Sequence, residues 1–389
     1  MAKRYFLVLH WYILGTLGDL QEVLRRECFL RPPTNYSKSL PAKISNEKGQ
    51  REPLEVFFTF GGSEIEYIKE ENQRIYMSIV YEEKWSDPRI FDLEENKGCW
   101  GKVPLKYLRD NFWTPALVHW NARKHSSINT MMDDNLGYAL VTPDNYLIYS
   151  VALTVEVNCK FQFDQFPFDH HDCPYLVTNW FDTTDYVVLK GNMVNQTKGK
   201  ELWVETTQVY EVEVTLLEDS VRFDGFSTPP RNLSVTGKNY HFRRMLFPYI
   251  TTFFAPMVIV VYLSMISFWI PVEIVPGRMS MLVTLFLTSV NLGISNQANA
   301  PPSNKVGAVD LWNFIIFGTH NGIIWEYAYL LFSRFKFCKA NKGIANDSKY
   351  SEAMREFTLW TNRVDTISFW ICFITFPFLL IVYFSLNIK

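Results

Sequence analysis

The spacing that carries most chemistry is that of two cysteines and the run between them. Cys159 and Cys173 bracket thirteen residues, KFQFDQFPFDHHD. A disulfide joining them would close a loop worth about 3 kcal/mol in the chain-entropy description. Phe166, Pro167 and Phe168 give that loop an apolar, stiff tip, and Asp169 adds one fixed charge beside it. His170 and His171 invite a metal reading, but adjacent side chains on a strand point to opposite faces. The polar half of the chain holds two further cysteines, Cys28 and Cys99. An even count there permits two bridges, which requires an oxidising compartment.

A second pattern lies further on. Ser280, Thr284, Leu287, Asn291, Ser295 and Ala298 recur at steps of four, three, four, four and three. Those steps trace one face of a helix. A membrane-spanning helix with so many polar side chains lines an aqueous path or packs inside a bundle. A ring of Leu287 side chains in such a path would gate it by dewetting. No nucleophile–base arrangement and no metal-ligand spacing accompanies these patterns. The chain is therefore read as no enzyme, without catalytic residues, metal or cofactor. A net charge of -2 gives no reason to expect a nucleic-acid partner.

The elements that would position these residues fall into two textures across 389 residues. Residues 1–18 have the form of a secretory signal peptide, with Lys3 and Arg4 before an apolar stretch and small residues after it. DLQEVLRRECFL (Asp19–Leu30) suits a short amphipathic helix stopped by Pro32 and Pro33. From Pro53 to Met245, short runs rich in Val, Ile, Tyr, Phe and Thr alternate with turn residues, as in Leu54–Phe60, Arg74–Trp85, Tyr146–Cys159, Tyr186–Leu189 and Val209–Leu217. Many short strands at that spacing indicate a sandwich or barrel. From Met245 to Val272 no charged residue occurs. Four apolar stretches follow Arg244, roughly Phe247–Ile270, Met279–Ala298, Val306–Phe332 and Thr366–Ile388. A bilayer core requires roughly 20 helical residues; the first, third and fourth stretches qualify on hydropathy, and the second is the least apolar. The third carries Asp310, His320 and Glu326 and is expected to face protein or water in places.

Four spans after a translocated N-terminal half return the C-terminus to the outside. The linker 333–365 is then cytoplasmic, and its excess of Lys and Arg agrees with that side. Asn-x-Ser/Thr sequons at Asn35, Asn195 and Asn232 agree with secretion of the polar half.

The Cys159–Cys173 loop with its FPFD run resembles the signature loop of Cys-loop receptors, the pentameric ligand-gated ion channels, and the chain looks like an animal-type but divergent member of them. Trp85-Ser86-Asp87-Pro88-Arg89 looks like the family's W-x-D-x-R element, and Phe112-Trp113-Thr114-Pro115 like its W-x-P element. Arg243-Arg244 sits before the first span, and Pro256 inside it, as in family members. The resemblance implies an extracellular all-β immunoglobulin-like sandwich over 19–246 and an all-α four-helix transmembrane bundle over 247–389. It also implies paired Cys159 and Cys173; apart from the resemblance, Cys28 and Cys99 could form a second bridge.

The same resemblance implies roles for particular residues. Glu71, Phe166, Pro167, Phe168, Asp169, Arg243 and Arg244 would couple ligand binding to the pore, Asp169 pairing with Arg243 or Arg244. Trp120, seven residues after Trp113, and Trp180, seven after Cys173, would line an aromatic agonist cage with Phe223 and Phe226 of a flap and Tyr81 of the complementary side. At the matching complementary position stands Val80 rather than an aromatic. Ser280, Thr284, Leu287, Asn291 and Ser295 would line the pore. Pro276 and Gly277 precede the basic Arg278 where cation-selective relatives have Gly-Glu; Pro276 and the missing glutamate resemble the anionic type, Gly277 departs from its Pro-Ala, and rings of Arg278 would favour anions.

The expected function is a plasma-membrane, multi-pass subunit, opened by a small neurotransmitter-like ligand at subunit interfaces and anion-selective. Its partners are four further subunits, the small-molecule agonist, permeant inorganic ions and membrane lipid. A cation-selective channel, or a ligand-binding subunit that conducts only in hetero-pentamers, is the alternative.

Overall fold

The computed structural model describes residues 26–45, 49, 51–127, 137–193, 209–223, 230–303, 305–341 and 348–387. The chain divides into two compact units. The first holds the residues up to Phe161 together with His171–Phe242; the second holds Gln162–His170 and Arg243–Lys389. The tip of the thirteen-residue loop thus belongs to the helical unit, although its flanking strands belong to the β unit. The signal-peptide residues and Asn195 lie outside the described residues.

The first unit is a β-sandwich. Its strands are β1 (Ile44–Ser45), β2 (Arg51–Glu52), β3 (Leu54–Lys69), β4 (Arg74–Trp85), β5 (Gly101–Val103), β6 (Leu117–His119), β7 (Ala122–Ser127), β8 (Gly137–Val141), β9 (Leu147–Asn158), β10 (His170–Asn179), β11 (Val187–Met193), β12 (Tyr210–Phe223) and β13 (Arg231–Arg244). Among the described residues, one sheet runs β11-β3-β4-β9-β8-β5, with β7 also on β9, and the other runs β12-β13-β10-β6. Strand β4 pairs antiparallel with β9 along its whole length, from Arg74 opposite Asn158 to Trp85 opposite Leu147. Its odd-numbered residues from Ile75 to Trp85 are buried, and most even-numbered ones are partly exposed. That alternation is the period of a strand with one face in a core. The rings of Phe60 on β3 and Tyr175 on β10, 6.3 Å apart, close the two sheets on each other.

The WSDPR run has a structural reason. Asp87 is fully buried and accepts from the Arg89 backbone N–H at 3.1 Å, capping the short helix α1 (Pro88–Phe91). The Arg89 guanidinium donates to both oxygens of the same carboxylate, at 2.9 and 2.7 Å. The Tyr36 hydroxyl donates to Asp87 at 2.8 Å and accepts from the Trp113 N–H at 2.9 Å. The two motifs around Trp85 and Trp113 are thereby tied together, and their indoles meet edge to face at 6.5 Å. Burial and the Asp87 carboxylate push the Tyr36 hydroxyl well above its ordinary pKa.

Residues 26–30 differ from the helix expected there. Glu27 bridges Lys102 of β5, and Cys28, 1% exposed, is bonded to Cys99 with Cα atoms 5.5 Å apart. A segment held to a strand by backbone bonds and a disulfide cannot also wind into a helix. Cys159 and Cys173 are also bonded, with Cα atoms 5.1 Å apart.

The second unit is helical. After α2 (Leu105–Asn111) of the first unit come α3 (Phe247–Trp269), α4 (Val275–Asn299), α5 (Ala308–Ala340) and α6 (Ser348–Asn387). α3 contains a π-helical turn at Ile250–Phe254, just before Pro256. α4 packs on α3 and α5, and α6 packs on α5 and α3. Among the described residues, α3, α4 and most of α6 are long and apolar enough to cross a membrane. The third stretch is not, since α5 carries Asp310, His320 and Glu326 along with the basic residues of its end. α5 runs to Ala340 and α6 begins at Ser348, so helix occupies most of the linker 333–365.

Candidate functional site

Four strands of the smaller sheet end close together. In the spatial order β12, β13, β10 and β6, they present Phe223 at the end of β12, Arg231 at the start of β13, Trp180 just after β10 and Trp120 just after β6. Trp120 is held by its N–H to the Leu176 carbonyl at 2.9 Å, Trp180 by its N–H to Ala116 at 3.4 Å. The buried Asn179 side chain accepts from the N–H groups of Phe181 and Asp182, at 3.1 and 3.2 Å, and so fixes the turn that carries Trp180.

The rings assemble accordingly. Trp120 and Trp180 have centroids 5.6 Å apart, Trp180 and Phe223 5.1 Å, and Trp120 and Phe223 6.4 Å. Trp120 is 41% exposed, which leaves the cluster open on one side. The Arg231 guanidinium stands 5.6 Å from the Trp180 ring and 5.4 Å from that of Phe223. Sequence reasoning missed Arg231.

The structure does not bring Tyr81 to this cluster. Its ring is 6% exposed and faces the sandwich interior, stacked on Phe58 at 4.8 Å and 5.7 Å from His119. Its side chain belongs to the buried face of β4, which turns it away from any neighbouring surface. Val80 and Glu82 occupy the partly exposed face instead, and Glu82 accepts from the Tyr138 hydroxyl at 2.9 Å. Phe226 lies outside the described residues.

Beneath that face is a cavity of about 160 Å³, lined by Tyr81, Glu83, Arg109, Leu117 and Tyr149 among others. Glu83 is 4% exposed. Burial pushes its carboxyl up to about 8, against the opposing pull of Arg109.

In the helical unit the loop tip is bound by a buried ion pair. Arg244 donates from Nε to Asp169 Oδ1 at 2.6 Å and from Nη2 to Oδ2 at 2.9 Å. Both side chains are almost wholly buried, at 2% and 1% exposure. Of the two arginines, then, Arg244 meets Asp169, and Arg243 is exposed. The Arg244 guanidinium also lies 4.7 Å from the Phe166 ring and donates to the Tyr249 hydroxyl at 3.1 Å. Phe166, joined to Pro167 by a cis bond, meets Tyr249 edge to face at 5.2 Å. Phe168 enters a group of rings from α3 and α6, 5.9 Å from Phe254 and 6.0 Å from both Tyr383 and Phe384.

Asp164, which the sequence did not single out, accepts from Lys305 Nζ and Ser303 Oγ, each at 2.9 Å, in the α4–α5 connection. Those two donors hold its carboxyl below the ordinary value. Its carbonyl takes the Ala308 N–H at 3.1 Å at the start of α5. Glu71 is exposed in the β3–β4 turn of the other unit.

On α4, Ser280, Thr284, Leu287, Asn291 and Ser295 are all exposed, while Arg278, Leu282, Ser289, Gly293 and Asn296 are buried. The expected stripe is therefore a face that nothing among the described residues covers. Pro276 and Gly277 are exposed at its start.

Arg278 corrects the expectation of a charged ring. It is fully buried, donating to Asp365 of α6 at 2.7 Å and Glu326 of α5 at 3.1 Å, with the Tyr327 ring 4.4 Å from its guanidinium. Two residues from Ser280 is about 200° around a helix, so Arg278 points into the helix packing and away from the polar stripe. Of the sequons, Asn35 and Asn232 are exposed.

Residues 34–230, half of the chain, match the family model described as neurotransmitter-gated ion-channel ligand binding domain. The chain is similar to gamma-aminobutyric acid receptor subunit alpha-2 of Homo sapiens, 24% identical over 306 residues, covering 77% of this chain and 65% of that protein. The subunit of the same name from Rattus norvegicus is 24% identical over 302 residues, covering 76% and 64%. The pH-sensitive chloride channel 2 of Drosophila melanogaster is 22% identical over 321 residues, covering 80% and 59%. The chain thus spans less than two thirds of the length of these relatives.

Proposed function

Since the chain belongs to the neurotransmitter-gated ion channels, the Cys-loop receptors, which are not enzymes, we propose that it is one subunit of a pentameric anion channel in the plasma membrane. Residues 19–246 stand outside the cell, α3 to α6 span the bilayer, and the linker 333–365 lies on the cytoplasmic side. Four further subunits close a ring around the α4 helices. A small neurotransmitter-like ligand binds at the aromatic cluster, where two subunits meet.

One observation carries this reading. An apolar helix of spanning length exposes serines, threonine, asparagine and one leucine along a single stripe. Such a stripe is costly against lipid and natural against water. Five copies around an axis give a polar conduit with a leucine constriction at Leu287. Ligand preferred by the open arrangement shifts the population toward it. The Asp169–Arg244 pair and the Phe166–Phe168 tip transmit that shift to the helices.

Anion selectivity is supported by the Drosophila relative, whose name is that of a chloride channel, and by Pro276 and Gly277 at the exposed start of α4 where cation-selective relatives carry glutamate. Voltage-clamp recording from cells expressing the chain, with a panel of amines and amino acids, tests the proposal. Ligand-evoked current whose reversal follows chloride is expected. Current whose reversal follows sodium overturns the selectivity, and silence at proven surface expression overturns a self-sufficient channel.

A further inference from the structure

The cavity inside the sandwich has an acidic floor that serves neither the aromatic cluster nor the helices. Trp120, Trp180 and Phe223 are not among its lining residues. Tyr81, Glu83 and Leu108 line it as buried side chains, while Leu105, Arg109 and Tyr149 reach solvent at its rim. Glu83 is 4% exposed, and among the described residues no hydrogen bond or ion pair reaches its carboxyl. A carboxyl so deeply buried is costly to leave unpaired. The space beside it, about 160 Å³, is room for a small molecule.

Among the described residues, the titratable and charged groups facing Glu83 come from three elements. Tyr81 lies on the same face of β4, Tyr149 stands directly opposite on β9, and Arg109 comes from α2. Burial raises both tyrosine hydroxyls, Glu83 raises them further, and Arg109 opposes the rise. The Arg109 guanidinium is exposed, donates to the Tyr149 hydroxyl and lies 5.0 Å from that ring. It stays at the rim, screened by water, and leaves the carboxyl on the floor without a donor.

An ammonium supplies what that carboxyl lacks, a charge and three donors. Tyrosine rings attract it through their quadrupoles, and Leu105 and Leu108 offer apolar surface to an alkyl tail. A metal ion needs several ligands, and among the described residues no group of three or more His, Cys, Asp or Glu could hold one. We propose that this cavity is a second ligand site, separate from the aromatic cluster, in which Glu83 holds the ammonium of a small primary amine. The ionised carboxyl is the form that pairs. Burial holds the Glu83 pKa at about 8, so the entering amine displaces a proton at neutral pH.

Calorimetric titration of the detergent-solubilised full-length protein with butylamine, 1-butanol and butanoate, in two buffers of different ionisation enthalpy, tests it. Butylamine is expected to bind at least about tenfold more tightly than 1-butanol. It should release about 0.9 proton per ligand at pH 7. Glu83→Gln keeps the shape of the floor and is expected to weaken butylamine roughly 10- to 100-fold and to abolish the proton release. Arg109→Gln removes the opposing charge and is expected to tighten butylamine about two- to fivefold, a gain that misfolding does not produce. Butanol as tight as butylamine leaves only an apolar cavity and overturns the proposal. Butanoate binding that weakens in Arg109→Gln makes this an anion site and overturns it. Butylamine binding unchanged in Glu83→Gln overturns it, and loss in Trp180→Ala then assigns the amine to the aromatic cluster. No binding of butylamine overturns it as well.

Discussion

Arg244→Met should expose how much of the loop's seating depends on one ion pair. The Asp169 carboxylate is 1% exposed and takes two hydrogen bonds from Arg244, at 2.6 and 2.9 Å. Removing one partner leaves a buried charge uncompensated, which costs about 3–5 kcal/mol. Asp169→Asn strands the arginine in the same way and is expected to cost nearly as much. The double variant removes both charges. It should lose only what Arg244 gives elsewhere, the bond to Tyr249 at 3.1 Å and the contact with Phe166 at 4.7 Å, together about 1–2 kcal/mol. The double-mutant cycle should therefore return a coupling of at least about 2 kcal/mol. Detergent-titration unfolding of the purified protein measures the stability side, and ligand-evoked current at matched surface abundance measures the coupling side. Additive single losses, or single losses below about 1 kcal/mol, would refute the argument that this pair seats the loop.

Two further outcomes follow from buried charges. Glu83 has a folded pKa raised to about 8 from the ordinary 4.5, so the native state favours its protonated form. Stability is then fully present below about 4.5 and declines as pH rises toward 8, at no more than about 1.4 kcal/mol per unit. Glu83→Gln should melt higher than the parent at pH 8 and match it at pH 4.5; parallel melting curves across that range would contradict this. Arg278→Met should leave the reversal potential of the open channel unchanged, because the guanidinium is bonded to Asp365 and Glu326 rather than turned to the stripe. A shift of reversal toward sodium in that variant would return Arg278 to the conduction path.

What the sequence could reveal depended on whether a residue's partners are near in the chain. Cys159 and Cys173 are separated by a short loop, and the run between them is distinctive enough to carry its own meaning. The stripe from Ser280 to Ser295 is set by helical period alone, and the exposed face follows it residue by residue. The same period places Arg278 about 200° away from Ser280, so its burial was legible. The pull of a charge near a pore obscured it.

Other features depend on partners far along the chain. Arg231 becomes notable only when β13 lies between β12 and β10, bringing its guanidinium to Trp180 and Phe223. Asp164 acquires its role from Lys305, 141 residues later. The helix expected over Asp19–Leu30 was lost, over its described end, to a backbone bridge with Lys102 and a bond to Cys99. Tyr81 failed to join the cage because strand alternation turns it inward with Tyr175 and Phe58.

The central claim, an anion path gated at Leu287, can be tested without knowing the ligand. Leu287→Ser removes the apolar ring and should leave a standing current in cells that display the protein at their surface. Measured while external chloride and then external sodium are replaced, the reversal of that current should move with chloride and stay fixed with sodium. A reversal that follows sodium would contradict the anion path, and surface protein with no standing current would contradict the gate itself.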